Sequence, residues 1–349
     1  MTLKKAPMTP YDSDNPMDTE HPFAQYVRIL GKGKSGTRSL TQDEAIAAFS
    51  MILNGEAEDM QVGAFLMLLR VKEETGEELA GFVLACRDNM LTRSTPLSAD
   101  LDWSSYAGKK HQHPWFILSI LLLTQAGYRV FIHGTDGHTQ GRLYTEQALS
   151  QLQLPVADSW AQVSTQLDEQ GLSYLPLRRL CPPLDALIQL RPLLGLRSPV
   201  HTLTRMLNPL SAPASIQSIF HPAYGILHQE ADKLLGQPRA VVFKGDSGEV
   251  EIKPQADTRI LSLLDGDTSE MVLKRSLGER VASVGEPSVE PLRALWRGEE
   301  DDPYGLDAVL ATTAVALSLL DPGLSLPDAQ NRARSLWQQR EFDRLLPCR

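Results

Sequence analysis

Lysine and aromatic residues lie close together in the segment 103–115. Lys109 and Lys110 are adjacent, with Tyr106 before them and Trp115 after them. Lysines between aromatic rings suit single-stranded nucleic acid, because phosphates meet positive charge while bases stack on the rings. Trp115 begins an apolar run and fits a hydrophobic core better, so Tyr106 is the better stacking candidate. The segment therefore predicts a nucleic-acid contact through Tyr106, Lys109 and Lys110.

Positive charge is concentrated in three windows of the chain, residues 28–38, 103–135 and 172–210. These windows carry net charges of +4, +3 and +4 within a chain of net charge −9, so the remaining chain carries −20. Such segregation can place a cationic cleft on an acidic body, because local potential rather than total charge attracts a charged ligand. The alternative is three solvated patches that never meet in space, and charge counting leaves both hypotheses open. The further candidate phosphate contacts in these windows are Lys32, Lys34, Arg38, Arg178, Arg179, Arg191, Arg197 and Arg205.

The glycines between Gly31 and Gly36 match a dinucleotide-binding pattern by letter only. A dinucleotide loop must follow a strand within a βαβ unit, whereas the apolar residues before this loop recur at helical spacing. A flexible basic linker between two helices is the favoured interpretation. Lys32, Lys34 and Arg38 in this linker could still contact phosphates.

The composition is typical of a soluble globular protein. Hydrophobic residues make up 42% and charged residues 22% of 349 residues, which favours two domains with a large core. The longest apolar run, residues 114–123, is roughly half of a membrane span, so we expect no membrane segment. Three widely separated cysteines favour reduced thiols in the cytoplasm. Residues 1–20, rich in Asp, Pro and Thr, predict a disordered tail.

Two kinds of organisation follow each other along the chain. Residues 21–95 predict a small helical domain, because 41–44 and 75–78 have capping-box spacing and apolar residues follow each at helical intervals. Residues 96–349 predict an α/β domain with a mainly parallel sheet, because strand-like runs alternate with helical ones. The expected strands are 129–133, 174–177 and 239–243, and the expected helices are 114–126, 184–207, 222–235, 301–320 and 327–345.

The order of motifs resembles the anthranilate phosphoribosyltransferase family, which belongs to glycosyltransferase family 3. The matches are the helical opening at residues 40–82, the pair His133 and Gly134, and the segment 191–209. The resemblance implies a small N-terminal helical domain, completed by helices in about 184–207, and a larger α/β domain. It also implies a homodimer formed through the N-terminal helices.

The sequence departs from the family where that family holds phosphoribosyl pyrophosphate. An ungapped alignment places residues 104–108 at the family's glycine-rich GTGGD loop, and Tyr106 brings a ring where the family has a glycine. Phe116 replaces a serine that holds magnesium, and Val250 with Glu251 replaces an Asp-Glu pair that holds a second magnesium. Losing one such electrostatic contact costs about a hundredfold or more in rate. We therefore predict no catalytic residue, no metal and no cofactor.

Five residues keep the positions of the family's site, and we interpret them as vestigial. Arg191 matches the arginine that holds the anthranilate carboxylate, although an ion pair on a helix surface is a competing interpretation. Asn208 begins a matching Asn-Pro turn, and Glu251 keeps one of two carboxylates. His133 is most simply a hydrogen-bonded core histidine, and Gly134 a tight turn after a strand.

This combination resembles a divergent branch of the family that binds DNA or RNA without sequence preference. We therefore predict a cytoplasmic, catalytically degenerate, homodimeric protein that binds nucleic acid through basic loops around the former active-site cleft. The alternative is a phosphoribosyltransferase with altered substrate use, which would require magnesium. A third hypothesis is a dimeric scaffold for a protein partner.

Overall fold

Four helices open the described part of the chain and pack into a small bundle. The computed structural model describes residues 20–33, 35–90 and 96–345, so most of the predicted tail and Lys34 lie outside the described residues. The boundary predicted between residues 95 and 96 stays a prediction. The four helices are α1 (Ala24–Gly31), α2 (Gln42–Leu53), α3 (Asp59–Lys72) and α4 (Gly76–Asp88).

Two capping boxes fix the starts of α2 and α4, as the sequence predicted. The Thr41 hydroxyl accepts a hydrogen bond from the Glu44 backbone N–H, and the Glu44 side chain accepts one from the Thr41 backbone. Thr75 and Glu78 repeat this arrangement. Each box satisfies N–H groups that have no partner inside the helix. Glu78 is also buried and accepts a hydrogen bond from Lys72, so it ties the end of α3 to the start of α4.

Phenylalanine rings form the centre of the helical core. Phe65 lies between Phe23 and Phe82, with ring centroids 5.4 and 6.1 Å away, and edge-to-face geometry in both pairs. Such aromatic pairs add stability beyond the area that they bury. Buried side chains from residues 175–210 belong to the same core. The N-terminal bundle therefore packs directly on a later part of the chain.

A seven-stranded sheet forms the centre of the larger domain. Its order is β3-β2-β1-β4-β5-β6-β7, in which the first five are parallel and the last two antiparallel. The five parallel strands are buried along nearly their whole length, as expected for a sheet covered on both faces. The strands are β1 (Leu101–Ser105), β2 (Val130–Gly134), β3 (Leu172–Pro176), β4 (Ala214–Ile219), β5 (Arg239–Lys244), β6 (Thr258–Leu264) and β7 (Asp267–Leu273).

Eleven helices of the described chain connect the strands and cover the sheet. Among the described residues, α14 is the one helix long and apolar enough to cross a membrane, and 67% of it is buried inside the protein. The helices are α5 (Phe116–Gln125), α6 (Thr145–Gln151), α7 (Trp160–Gln170), α8 (Leu177–Leu180), α9 (Pro182–Ile188), α10 (Arg191–Leu194), α11 (Val200–Leu203), α12 (Tyr224–Leu234), α13 (Glu290–Arg297), α14 (Pro303–Leu320) and α15 (Leu326–Gln338).

The helical stretch expected at 184–207 is divided into short helices. Gly195 ends α10 with φ of +71°, and Pro199 precedes α11. Glycine often ends a helix in the left-handed conformation, because it has no Cβ to clash with the backbone there. Proline disfavours helical backbone in the residue before it. The sequence also missed four strands, β1, β4, β6 and β7. The mainly parallel α/β architecture that it predicted is confirmed.

Candidate functional site

The candidate site lies at the carboxyl edge of the parallel sheet. Strands β1 to β5 all end at this edge, and the sheet order reverses between β1 and β4. Ligands of open α/β sheets bind in the crevice at such a reversal. The loops that follow β1, β2, β4 and β5 therefore decide what this protein can bind.

A carboxylate of the protein itself occupies the backbone donors of the loop after β1. Glu249 Oε1 lies 2.6 Å from the backbone nitrogens of both Ala107 and Gly108, which donate hydrogen bonds to it. The Ser105 hydroxyl donates to Oε2 at 2.7 Å. Successive backbone N–H groups make an anion-binding concavity. The resemblance placed the pyrophosphate loop at residues 104–108, and in this chain an internal anion occupies these donors.

The turn after β5 is wound tightly enough to deliver Glu249 to this position. A Cβ on Gly245 would lie 1.7 Å from the Glu249 carbonyl oxygen, so only glycine fits there. Ser247 and Gly248 both have left-handed backbone, with φ of 58° and 90°. Left-handed conformation is costly for a residue with a side chain and is retained where the surrounding structure requires it.

Lys109 is buried between two carboxylates and is not available to a nucleic acid, which corrects the prediction for this residue. Its Nζ donates to Asp246 Oδ2 at 2.5 Å and also to Glu251 Oε1. Burial opposes the charge of Lys109, but Glu251 and Asp246 outweigh burial and raise its pKa. Burial would raise the pKa of Asp246, yet Lys109 and Lys253 lower it to about 2. Burial is the largest influence on Glu251 and raises its pKa to about 7.

Magnesium does not fit these residues. The carboxylates that could bind it, Asp246 and Glu251, already accept hydrogen bonds from the Lys109 ammonium. Phe116 offers no side-chain ligand, and its backbone N–H donates to Glu251 at 2.9 Å. Magnesium requires carboxylate oxygens together with substrate phosphates. The internal ammonium therefore takes the place that a cation would need.

Tyr106 is a core residue rather than a stacking platform, which corrects a second prediction. Its side chain is 1% exposed, and its hydroxyl oxygen lies 2.6 Å from His133 Nδ1. His133 is fully buried, and its Nε2 lies 3.2 Å from Asp102 Oδ1. The interpretation of His133 as a hydrogen-bonded core histidine is confirmed. Gly134 is the last residue of β2 and not a turn. Glycine is required at this position because a Cβ there would lie 2.1 Å from the Ser105 carbonyl oxygen.

Four arginines meet near these loops, and we call them the arginine cluster. Arg142 Nη1 donates to the carbonyl oxygens of the loops after β1 and β5, and Arg191 donates to the His138 carbonyl oxygen at 2.9 Å. Arg205 donates to the His201 carbonyl oxygen. Among the described residues, no member of the cluster forms an ion pair with a carboxylate. The members are Arg142, Arg191, Arg197 and Arg205.

The pKa shifts show that these cations act on one another. Burial is the largest influence on Arg197, and the charges of Arg142 and Arg191 lower its pKa further. Burial lowers the pKa of Arg205 to about 10, although Glu249 opposes the shift. Burial also lowers the pKa of His138 to about 4, and three of the arginines contribute. Positive potential at this edge is therefore not neutralised by ion pairs within the described chain.

An exposed aromatic ring lies beside the arginine cluster. Phe220 follows β4 directly and is 44% exposed. The Arg197 guanidinium lies 5.9 Å from its ring centroid, and the His221 ring packs against it edge-to-face at 5.0 Å. Phe220 and Arg142 were not among the residues predicted from the sequence. An aromatic residue directly after a strand and an arginine directly after a loop glycine were the available signals.

The other predicted cations divide into exposed and paired residues. Lys110 is exposed beside the turn after β5, and Arg179 is exposed in α8, which follows β3 directly. Arg178 forms an ion pair with Glu146, and Arg38 forms one with Glu44. Lys32 is exposed in the loop after α1. The side-chain hydrogen bonds of Arg38 go to Ser39 and Glu44, within the helical part of the chain.

Asn208 holds a turn rather than a ligand. Its φ is 37°, and its side-chain amide both donates to and accepts from the backbone of Ala212. It also donates to Gln237 at 2.8 Å. Asparagine tolerates left-handed backbone because its short polar side chain bonds locally. The vestigial role predicted for Asn208 stays a prediction, and its structural role accounts for the residue type.

The helical bundle, the mainly parallel sheet and the loops at its carboxyl edge define a transferase-like α/β protein with a separate helical domain. The chain belongs to the glycosyl transferase family. The helical bundle domain of this family matches residues 25–90, and its a/b domain matches residues 119–339. The predicted family resemblance is confirmed.

Relatives extend over most of the chain. The uncharacterized protein YbiB of Escherichia coli (strain K12) is 26% identical over 304 residues, which are 84% of this chain and 94% of YbiB. Anthranilate phosphoribosyltransferase of Geobacillus kaustophilus is 26% identical over 291 residues, 82% of either chain. The crystal structure of anthranilate phosphoribosyltransferase from Thermus thermophilus has a TM-score of 0.72 at 22% identity, over 89% of this chain and 94% of that one. The likeness in structure shows a shared fold.

Replacing the buried lysine tests the internal charge network. Lys109→Met leaves Asp246 and Glu251 buried without their ammonium, and we expect a loss of about 3–5 kcal/mol in the free energy of unfolding at pH 7. The deficit should shrink as pH falls toward 4, because Asp246 of the variant then takes up a proton. Glu251, whose pKa is about 7 even beside the ammonium, is already protonated in the variant at pH 7. In the wild type Lys109 and Lys253 outweigh burial and lower the pKa of Asp246 to about 2. The stability that ionised Asp246 contributes is therefore present at pH 7 and is lost only as the pH falls through the ordinary pKa of an aspartate toward 2.

Urea denaturation at pH 7 and at pH 4 measures both effects. Lys110→Met is the matched control, because Lys110 is exposed and its loss should leave stability unchanged. Equal stability of the two variants at pH 7 would show that Lys109 is not the internal counter-ion.

Proposed function

We propose that this protein binds single-stranded nucleic acid without sequence preference, at the arginine cluster and Phe220, and does not transfer a ribosyl group. The observation that carries the proposal is a group of four arginines that form no ion pair with a carboxylate of the described residues and lie beside an exposed aromatic ring. Phosphates of a strand would contact Arg142, Arg191 and Arg197, which are partly exposed, and a base would stack on Phe220. Arg205 is buried and would contribute its charge without lying on the surface, which corrects the direct contact predicted for it. Base stacking and phosphate contacts both tolerate any sequence, because every base has an aromatic face.

The chemistry of the cluster favours a polyanion over a small neutral ligand. Arginine presents a planar fork of donors that matches the oxygens of phosphate. Lys110 and Arg179 lie at the same sheet edge and would extend the positive surface. The overall charge of −9 does not oppose this, because local potential governs the approach of a charged ligand.

A transferase function is the alternative, and the names of several relatives support it. Arg191 also keeps the position that the family uses for the anthranilate carboxylate. Against it, Glu249 occupies the anion-binding backbone donors and Lys109 occupies the carboxylates. Opening this site would break a buried charge network before any substrate could bind. We therefore favour nucleic-acid binding, with magnesium relevant only to the alternative.

Salt dependence and two substitutions test the nucleic-acid proposal. We expect a labelled oligo(dT) or oligo(U) strand to bind with an affinity that falls as salt rises, with a slope of about −0.7 for each phosphate contacted. Arg197→Gln should weaken binding to every sequence and reduce the slope by about 0.7. Phe220→Ala should lower affinity by roughly 1–3 kcal/mol, with little change in slope, because it removes a stacking surface and no charge. Fluorescence anisotropy over a salt series measures both.

Arg334→Gln on α15 is the matched control, since this exposed arginine lies outside the arginine cluster. It should bind as the wild type does. Salt-independent binding, or no binding, would contradict the proposal. Co-purification with a protein in place of nucleic acid would favour the scaffold hypothesis, and magnesium-dependent consumption of phosphoribosyl pyrophosphate would favour the transferase.

We also propose that the chain forms a homodimer through the N-terminal helices. An apolar stripe runs along α3, where Met60 and Val71 are 86% and 84% exposed, with Ala64 and Met67 between them. Their spacing of three, four and eleven residues places them on one helix face.

Free thiols at Cys86 and Cys181 support our further proposal that the protein is cytoplasmic.

Charges placed on this stripe should separate the proposed dimer. We expect Met60→Glu combined with Val71→Glu to halve the mass in solution, because two like-charged carboxylates per copy would face each other across the interface. Light scattering after size exclusion measures the mass. Val272→Glu is the control, since this exposed apolar residue lies on β7 in the other domain. A wild-type monomer would contradict the proposal.

A further inference from the structure

A small pocket lies behind the arginine cluster, where the helical bundle meets the sheet. Its volume is about 90 Å³. Pockets that hold drug-sized molecules measure about 300–1,000 Å³, so this one admits a small group but not a whole nucleotide. Phe220 also lines it, so the pocket is continuous with the proposed stacking surface. The residues that carry the argument are Arg70, Glu74, Ser198, Arg197, His201 and Arg205.

Three side chains that line the pocket hold buried polar atoms without a hydrogen-bond partner among the described residues, namely Glu74 Oε2, Ser198 Oγ and His201 Nε2. His201 is 6% exposed and Ser198 is 4% exposed, and neither His201 Nε2 nor Ser198 Oγ has a partner among the described residues. Buried polar groups are nearly always hydrogen-bonded, and exceptions call for an explanation. A ligand that hydrogen-bonds to Ser198 Oγ and His201 Nε2 would supply one for those two atoms.

The protonation of His201 limits the kind of ligand. Its Nδ1 lies 3.3 Å from the Ser198 carbonyl oxygen, which can only accept, so Nδ1 carries the proton. Nε2 of the neutral ring is therefore an acceptor and needs a donor. A phosphomonoester in its monoanionic form has a P–OH group that can donate to Nε2, whereas a phosphodiester has no proton to give. The Ser198 hydroxyl can donate to another phosphate oxygen.

The charge of the pocket also matches a phosphomonoester. Three arginines line it against the single carboxylate of Glu74, a formal +2 with the histidines neutral. Burial raises the pKa of Glu74 and lowers those of His201 and His228, the last to about 3. A phosphomonoester carries about −1.5 to −2 on average at neutral pH, and its monoanionic form, which donates to His201 Nε2, carries −1 as an internal diester does. The charge of the pocket therefore favours a phosphate group, and the P–OH donor distinguishes the monoester from the diester.

We propose that this pocket binds the terminal phosphomonoester of a nucleic-acid strand, while the adjoining base stacks on Phe220. The inference rests on the proposed function and assigns the end of the strand to one part of that site. An internal phosphodiester continues as chain on both sides, and a pocket of this size leaves no space for that chain. Arg197 lines the pocket and belongs to the arginine cluster, so the end of the strand and its backbone would be bound side by side.

Three oligonucleotides of one sequence test the inference, with a 5′-phosphate, a 3′-phosphate, or hydroxyls at both ends. We expect one phosphorylated form to bind the full-length protein about tenfold more tightly than the hydroxyl form, as for a hydrogen-bonded charged group. Ser198→Ala and His201→Gln should remove this preference and keep the remaining affinity. Phe220→Ala should weaken all three forms alike, and Arg334→Gln should change none.

Each outcome bears on a different claim. Equal affinity for all three forms overturns the terminal-phosphate inference and leaves nucleic-acid binding intact. No binding to any form overturns both. If His201→Gln fails to fold, Ser198→Ala decides, and a full preference in that variant contradicts the assigned contact. A preference for the 5′ or the 3′ form identifies which end the pocket takes.

Discussion

A buried carboxylate held by two backbone amides is the interaction on which the rest of the site depends. Glu249 from the turn after β5 accepts hydrogen bonds from the loop after β1, and beside it Lys109 is bound by Asp246 and Glu251. Buried charges are stable only when they are paired or hydrogen-bonded. Glu249 is hydrogen-bonded by two backbone amides and the Ser105 hydroxyl, and Lys109 is paired with two carboxylates. The two loops are held closed by bonds that a sugar diphosphate and its metals would have to replace.

The same arrangement explains why positive charge remains further out at this edge. The acidic side chains of the β5 turn are directed inward, where they bind backbone amides and Lys109. Among the described residues the arginine cluster is left without ion-pair partners. Burial and the charges of neighbouring arginines lower the pKa of Arg197 and Arg205. A scaffold shared with transferases can thus keep its sheet and its helical bundle while its accessible chemistry moves from the inner site to the rim. Phe220, beside Arg197, adds an aromatic surface to that rim.

Local patterns predicted the helical bundle and three of the seven strands, because these features depend on neighbours along the chain. The capping boxes at Thr41 and Thr75 and the strand at 239–243 were read from residues a few positions apart. The site could be predicted only in part, because its contacts are distant. Lys109 and Lys110 look alike in the sequence, yet the carboxylates that bury Lys109 lie 137 and 142 residues away. Neither periodicity nor charge counting reports such partners.

Family resemblance supplied the position of the glycine-rich loop but not what replaces its ligand. Tyr106 and Lys109 looked like a nucleic-acid surface because aromatic and basic residues alternate there, and burial reversed both assignments. Arg191, Arg197 and Arg205 were found from charge density, whereas Arg142 falls between the charged windows and gave no such signal.

A crystal structure of the protein soaked with phosphoribosyl pyrophosphate and magnesium tests the central claim most directly. The account predicts that Glu249 stays on the amides of Ala107 and Gly108, that Lys109 stays between its two carboxylates, and that no sugar diphosphate is ordered there. A pyrophosphate group on those amides, with Glu249 displaced and magnesium bound by Asp246 or Glu251, would contradict it.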